Sequence, residues 1–258
     1  MKLSLIIPVY NAGEIINELN SRILKVITDL NLINSFELIF INDSSVDNSW
    51  DQIKSLSFKF SYIKGINLSK NFGQHNAIMA GLNNCSGEKI ITLDDDLQHP
   101  PEFFSNILSQ LEDFDACYTY YRKRKHLKWK KIVSQINNIF SSFLLNKPLN
   151  IYLSSFRGFK KNIASEVVNF KRPSVYLDGL ILKATKKITM ITVDHDARLK
   201  GHSNYNFKKL LILWSTMVLN FSFYPFRTAS LFGIILRFFV KLFIKKNKLQ
   251  YEILEKTF

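Results

Sequence analysis

The chain has 258 residues and a mass of 30.1 kDa, enough for one large domain or one domain with an appendage. Apolar residues make up 47% and charged residues 22%, which supports a packed core and excludes a disordered chain. Two cysteines, Cys85 and Cys117, exclude a disulfide framework and a four-cysteine zinc site, and the net charge of +14 favours an anionic partner: nucleic acid, an anionic membrane or a phosphorylated substrate.

Leu3–Val9 is a short apolar run rich in Ile and Val and predicts a buried first strand. The same run ends early at a Pro and has no cleavage pattern, so a secretory signal is not expected. Ala12–Leu30 has helical periodicity through Ile15, Ile16, Leu19, Ile23, Leu24 and Ile27. Phe36–Ile41 predicts a second strand that runs into Asn42-Asp43-Ser44-Ser45-Val46-Asp47, a cluster of turn and cap residues. Ser49–Leu56 predicts a helix, Tyr62–Leu68 a third strand, Gly73–Asn83 a helix and Lys89–Leu93 a fourth strand. The fourth strand ends at Asp94-Asp95-Asp96. Pro100-Pro101-Glu102 opens a further helix, since Pro suits a first helical turn, and Ala116–Tyr121 predicts a fifth strand. Strands separated by helices imply parallel βαβ units in a doubly wound, mainly parallel α/β sheet flanked by helices. Ligands of such sheets sit outside the carboxyl ends of the strands, where both polar clusters fall.

The positive charge is concentrated. Ala197–Tyr251 holds ten basic residues and no acid, and Tyr120–Lys131 holds a second cluster of seven. Leu210–Phe226 is uncharged but interrupted by Ser215, Thr216, Asn220, Ser222 and Pro225. In Thr228–Ile244 the charges Arg237 and Lys241, followed by Lys245, recur every fourth residue and share one helical face. That pattern suits a helix lying in a membrane interface more than one packed on its own domain, while spanning or lying on the membrane is left open. The chain therefore divides into an α/β domain at 1–206 and a basic amphipathic helical segment at 207–258.

Two common phosphate cradles are missing: no Gly-x-Gly-x-x-Gly follows the first strand and no Gly-x-x-x-x-Gly-Lys-Ser/Thr occurs anywhere. The strand ends present carboxylates instead. Carboxylates repel a diphosphate unless a divalent cation lies between them. Asp94 and Asp96 are two residues apart, so their side chains share a direction, and their hard oxygens suit Mg²⁺ or Mn²⁺.

Ile6-Ile7-Pro8-Val9-Tyr10-Asn11 resembles the opening of family 2 glycosyltransferases, and Asn42–Asp47 resembles their Asp-Asp-Gly-Ser-x-Asp turn. Leu68-Ser69-Lys70-Asn71-Phe72-Gly73 and Asp94-Asp95-Asp96-Leu97-Gln98-His99-Pro100-Pro101-Glu102 are similar to segments of the polyprenyl-phosphate branch, which includes dolichol-phosphate mannose synthases. Ser155-Phe156-Arg157 and Arg198…Gly201-x-Ser203-x-Tyr205 resemble later motifs of that branch. The resemblance implies a nucleotide-sugar-binding domain of the GT-A type. It also implies inverting transfer of a sugar from a nucleotide-diphosphate sugar to a membrane lipid acceptor, in bacterial surface polysaccharide assembly.

Carried over by position, Pro8, Tyr10 and Asp43 would hold the nucleoside, with Lys70, Asp95 and Ser203 completing the nucleotide-sugar set. Asp94, Asp96 and Gln98 would hold the metal and diphosphate, and Arg122 would sit in an acceptor loop. Arg157, Arg198 and Ser203 would face the phosphates or the acceptor. The chain departs from the pattern at Asn42, which replaces an Asp, at Ser44, which replaces a Gly, and at Lys70, which replaces an Arg. The branch often continues into two to four transmembrane helices; one amphipathic stretch stands in that place here, so a peripheral enzyme on the inner, cytoplasmic face of the cell membrane is expected.

The acceptor decides one more residue. A lipid phosphate is already ionised, whereas a sugar hydroxyl of a lipid-linked saccharide needs a carboxylate to take its proton. Asp178 lies where hydroxyl-using relatives place that base, and it equally suits a helix N-cap. Both roles, and both acceptors, stay open on sequence alone. His75, His99, His126, His195 and His202 lack metal spacing and are expected at the surface or behind the site. Two rival classes are a basic nucleic-acid-binding module and an inactive scaffold. The first is disfavoured because the aromatics near the basic residues lie in an apolar helix rather than a stacking platform, so no nucleic-acid partner is expected. The second is disfavoured by the intact Asp94, Asp96 and Gln98. The oligomeric state is left open, a homo-oligomer included.

Overall fold

The computed structural model describes residues 2–121, 142, 145, 147–193 and 249–258. In chain order it has β1 (Leu3–Val9), α1 (Ile16–Asp29), β2 (Phe36–Asn42), α2 (Ser49–Lys59), β3 (Ile63–Leu68), α3 (Gln74–Leu82) and β4 (Lys89–Thr92). A 3-10 turn (Pro101–Phe103) leads into α4 (Phe104–Asp113) and β5 (Ala116–Tyr121). Then come β6 (Arg157–Lys160), α5 (Lys161–Val168), α6 (Leu177–Ala184), β7 (Ile188–Val193) and β8 (Ile253–Lys256).

The strands form one sheet in the order β7-β5-β6-β4-β1-β2-β3-β8. Six strands run in one direction; β6, between β4 and β5, and β8, at the edge beside β3, run against them. The sheet is therefore mixed, with a parallel centre. Every residue of β1 and β2 is buried, because helices cover both faces. Leu5, Ile7 and Val9 pack with Ile16, Ile23, Ile53 and Phe104 of α1, α2 and α4. Ile6, Ile39 and Ile41 pack on the other face with Ala77, Ile163 and Ile181 of α3, α5 and α6. Gly81 lets α3 lie close on the sheet: a Cβ there would sit 2.6 Å from Ile6 Cγ2.

All five expected strands are present. The helix expected from Ala12 begins at Ile16, because the preceding turn is held from outside: Ala12 N–H donates to Ser49 Oγ and Gly13 N–H to Asp47 Oδ2, both at 3.0 Å. The sequence did not reveal β6, β7 or β8. The last of these falls in the stretch assigned to the helical C-terminal segment. It is tied down by Trp50 Nε1 donating to Glu255 Oε2 at 2.8 Å and Gly65 N–H donating to Thr257 Oγ1 at 2.9 Å. Residues 207–248, with the proposed interfacial helix, lie outside the described residues, as do the basic cluster 122–131 and the boundary at 206. Among the described residues no helix is long and apolar enough to cross a membrane.

At the amino edge of the sheet, Glu37 is 1% exposed and accepts from Ser4 Oγ at 2.5 Å, Ser86 N–H at 2.6 Å and Lys64 Nζ at 2.6 Å. Burial alone would raise its pKa, but these donors outweigh burial and hold it below the ordinary carboxylate range. A depressed native pKa gives stability that is present above the ordinary value and lost as pH falls through the native one. Glu37→Gln is expected to cost about 2–3 kcal/mol at pH 7. That deficit should shrink as urea titrations are repeated from pH 5 down to pH 3; a deficit constant across that range would contradict the assignment.

Candidate functional site

The loops after β1, β2 and β4 meet at the carboxyl edge of the sheet and are tied to one another. Tyr10 N–H donates to Asp95 Oδ2 at 2.9 Å, Asn11 N–H to Ser45 Oγ at 3.0 Å and Val46 N–H to Asn11 Oδ1 at 2.9 Å. Among the described residues, three of the four non-glycine residues with positive φ lie in these loops: Asn11 at 55°, Ser44 at 58° and Leu97 at 60°. Ser44 thus keeps the left-handed backbone that a glycine would adopt freely, at a cost of roughly 1 kcal/mol. Strain gathered at one edge marks that edge as functional ground. Pro8 is buried within β1, whereas the Tyr10 ring is 48% exposed at its end.

Asp43 is buried, and both of its oxygens are engaged by one loop. Phe72 N–H donates to Oδ1 at 2.7 Å and Gly73 N–H to Oδ2 at 2.8 Å. Burial raises its pKa and the two N–H groups oppose the rise. Asp43 therefore shapes the loop that leads into α3, where Gly73 takes φ of +88°. Lys70 stands exposed on that loop with its Nζ 5.0 Å from the Phe72 ring.

The acids follow β4. Asp94 Oδ1 accepts from Gln74 Nε2 at 2.5 Å, and Oδ2 accepts from Ser155 Oγ at 2.8 Å. Its N–H donates to His99 Nδ1 at 2.9 Å. Asp96 Oδ1 accepts the N–H of Gln98 at 3.1 Å. Asp95 points instead toward β1, as its position between the other two predicts. Burial pushes its carboxyl up to about 7, with the charges of Asp94 and Asp96 acting the same way and the Tyr10 N–H opposing.

A second polar group lies where β6 meets α6. Arg157 and Asp178, 1% and 7% exposed, form an ion pair through Nη1 and Oδ1. Burial opposes the charge on Arg157, but the Asp178 carboxylate more than offsets this and holds its pKa above the ordinary value. Asp178 sits in the first turn of α6 and Tyr176 holds the cap position without a side-chain bond, so the N-cap alternative does not apply. Tyr118 is fully buried beside the pair, and burial, with Asp178, pushes its phenol well above the ordinary value. His75 packs edge-on to Tyr176 at 5.6 Å, and burial pushes it down to about 4, so the ring is neutral at pH 7.

Of the residues expected from sequence, Tyr10, Asp43, Asp94, Asp95, Asp96 and Gln98 share one loop cluster, and Arg157 pairs with Asp178. Arg122, Arg198 and Ser203 lie outside the described residues. Sequence reasoning missed the contacts of Gln74 and Ser155 with Asp94, while His99, expected at the surface or behind the site, is buried and stacked on Phe156 at 5.3 Å. Gln74 directly follows a recognised motif and Ser155 lies within one, and that placement is the signal that was available.

A family model described as Glycosyl transferase family 2 matches residues 4–168. Two relatives are undecaprenyl-phosphate 4-deoxy-4-formamido-L-arabinose transferases. The Yersinia enterocolitica protein is 32% identical over 237 residues, covering 90% of this chain and 71% of its own length. The Shewanella sediminis protein is 31% identical over 233 residues, covering 90% and 70%. Among solved structures, glucosyl-3-phosphoglycerate synthase from Mycobacterium tuberculosis, in complex with Mn²⁺, UDP and phosphoglyceric acid, has a TM-score of 0.59 at 14% identity, covering 84% of this chain and 77% of that one. TarS 1-349 from S. aureus, in complex with UDP, has a TM-score of 0.53 at 18% identity, covering 94% and 70%. At these identities the two structures share the fold.

Breaking the buried ion pair by one partner is expected to be costly. Arg157→Met or Asp178→Leu alone should lose about 3–5 kcal/mol, because each strands a buried charge. The double change should recover most of that loss in urea denaturation. Single variants that each cost under about 1 kcal/mol would show the pair to be weak or solvated.

Proposed function

The chain belongs to glycosyl transferase family 2, and from that premise we propose that this glycosyltransferase moves a sugar from a nucleotide-diphosphate sugar to a polyprenyl phosphate, with inversion at the anomeric carbon. The observation that carries the choice of acceptor is the buried Arg157–Asp178 pair. A hydroxyl acceptor needs a carboxylate ready to take its proton. The acid that sequence places in that role is held as a counter-ion in the interior. A phosphate monoester, by contrast, reaches the site ionised at neutral pH, its second pKa being about 6. The names of the two transferase relatives point the same way.

The donor end rests on the loop cluster. Tyr10 offers an exposed ring to the nucleoside, and Asp43 sets the loop from Lys70 to Gly73 that borders it. Among the described residues no three His, Cys, Asp or Glu side chains gather to hold a metal by themselves. The donors at the end of β4 nevertheless fit a hard divalent cation, Mg²⁺ or Mn²⁺, that takes one or two carboxylates and shares its remaining positions with substrate phosphates. Asp94 and Asp96, with the Gln98 amide, would hold it, and when bound it offsets the charge gathering on the leaving diphosphate. The crowded acids support this: burial, with the charges of Asp94 and Asp96, already drives Asp95 toward its neutral form. The fixed loops then hold donor and acceptor in line, which is a positioning task. The basic residues of 122–131 and 197–251 would meet an anionic membrane, so the enzyme would work as a peripheral protein on the cytoplasmic face.

The test is transfer to undecaprenyl phosphate from a panel of nucleotide sugars with Mg²⁺ or Mn²⁺, followed by mass spectrometry of the lipid. A glycosyl lipid phosphate is expected, and Asp96→Ala should lower the rate by about a hundredfold or more. Turnover on a lipid-linked saccharide with none on the lipid phosphate would overturn the acceptor. An unchanged rate in Asp96→Ala would overturn the metal role.

A further inference from the structure

Asp94 is held at three points, its carboxylate by two elements far apart in the chain and its N–H by the loop that follows. From α3, Gln74 Nε2 reaches Oδ1 at 2.5 Å; from the segment before β6, Ser155 Oγ reaches Oδ2 at 2.8 Å. From the following loop, His99 Nδ1 accepts the Asp94 N–H at 2.9 Å. Each gripping group is itself held. Thr92 Oγ1 donates to the Ser155 carbonyl at 2.7 Å, and Thr119 Oγ1 donates to the Phe156 carbonyl at 2.8 Å. The Phe156 ring in turn stacks on His99. Gln74 follows Gly73 directly, and Asp43 fixes Gly73 by accepting its N–H at 2.8 Å.

Gln74 is an exposed residue, so confining its side chain costs up to about 1.5–2 kcal/mol of rotamer freedom. A hydrogen bond to a charged acceptor returns about 1.5–3 kcal/mol, so the contact stands on the charge of Asp94. Each carboxylate oxygen keeps a second lone pair after accepting one hydrogen bond. A carboxylate with both oxygens engaged is fixed in rotation yet still able to ligate.

We propose that Gln74 and Ser155 are positioning residues that set the Asp94 carboxylate for the divalent cation of the donor site. Gln74 also joins two halves of that site, since Asp43, the loop at Phe72 and Gly73, Gln74 and Asp94 form one continuous chain of contacts. The proposal rests on the metal reading given above. Partners of this kind around metal ligands govern affinity by about 10–100-fold.

The test is Mn²⁺ binding by electron paramagnetic resonance on the full chain, with UDP, GDP, CDP, ADP and dTDP each supplied in turn. Gln74→Ala and Ser155→Ala should each weaken Mn²⁺ binding by about tenfold or more. Their melting temperatures without metal should stay near that of the parent. Ser155→Thr keeps the hydroxyl and should retain binding; Gln74→Glu sets a second negative charge against Asp94 and should be worse than Gln74→Ala. Alanine variants whose Mn²⁺ affinity stays within about twofold of the parent would overturn the proposal alone, as would equal loss in Ser155→Thr. A parent protein that takes up no Mn²⁺ with any of these nucleotides would overturn the metal reading, and this proposal with it.

Discussion

Three consecutive carboxylates at the end of β4 repel one another, and much of the carboxyl edge of the sheet is organised to hold them. Asp95 is turned toward β1 and accepts the Tyr10 N–H, which separates it from its neighbours. Asp94 is fixed by Gln74 and Ser155, and Asp96 by the Gln98 N–H. Concentrating like charge is unfavourable in an isolated protein, and a bound divalent cation would make it useful. In the proposed reaction that cation would lie between the acids and the donor diphosphate.

The same edge carries the backbone strain. Asn11, Ser44 and Leu97 each hold a left-handed conformation beside the acids, three of the four non-glycine residues that do so among the described residues. A rigid parallel centre makes this tolerable, since β1 and β2 are buried on both faces and anchor the loops that leave them. The Arg157–Asp178 pair is the matching device on the α6 side, where charge is neutralised internally rather than gathered. One side of the site thus gathers acids and the other conceals a balanced pair.

The parallel centre was legible because β1 to β5 are apolar runs bounded by turn residues, and period and punctuation reveal such strands. β6 has only four residues, Arg157–Lys160, and runs straight into α5, so no local pattern separates it. β8 pairs with β3 across more than 180 positions of sequence, and nothing within Ile253–Lys256 announces its partner. Asp94 and Asp96 were legible from their place after a strand. Gln74 and Ser155 were not, since each acts on Asp94 through a fold contact rather than a spacing. Asp178 was visible as a candidate base or cap, and its pairing with Arg157 shows only in three dimensions.

The most direct measurement is the anomalous diffraction of a crystal of the full chain grown with Mn²⁺ and the nucleoside diphosphate that promotes its uptake. The account predicts a manganese peak within about 2.0–2.6 Å of a carboxylate oxygen of Asp94 or Asp96, with diphosphate oxygens on its far side. A nucleotide bound elsewhere, or both acids turned to bulk solvent with the ion absent, would contradict it.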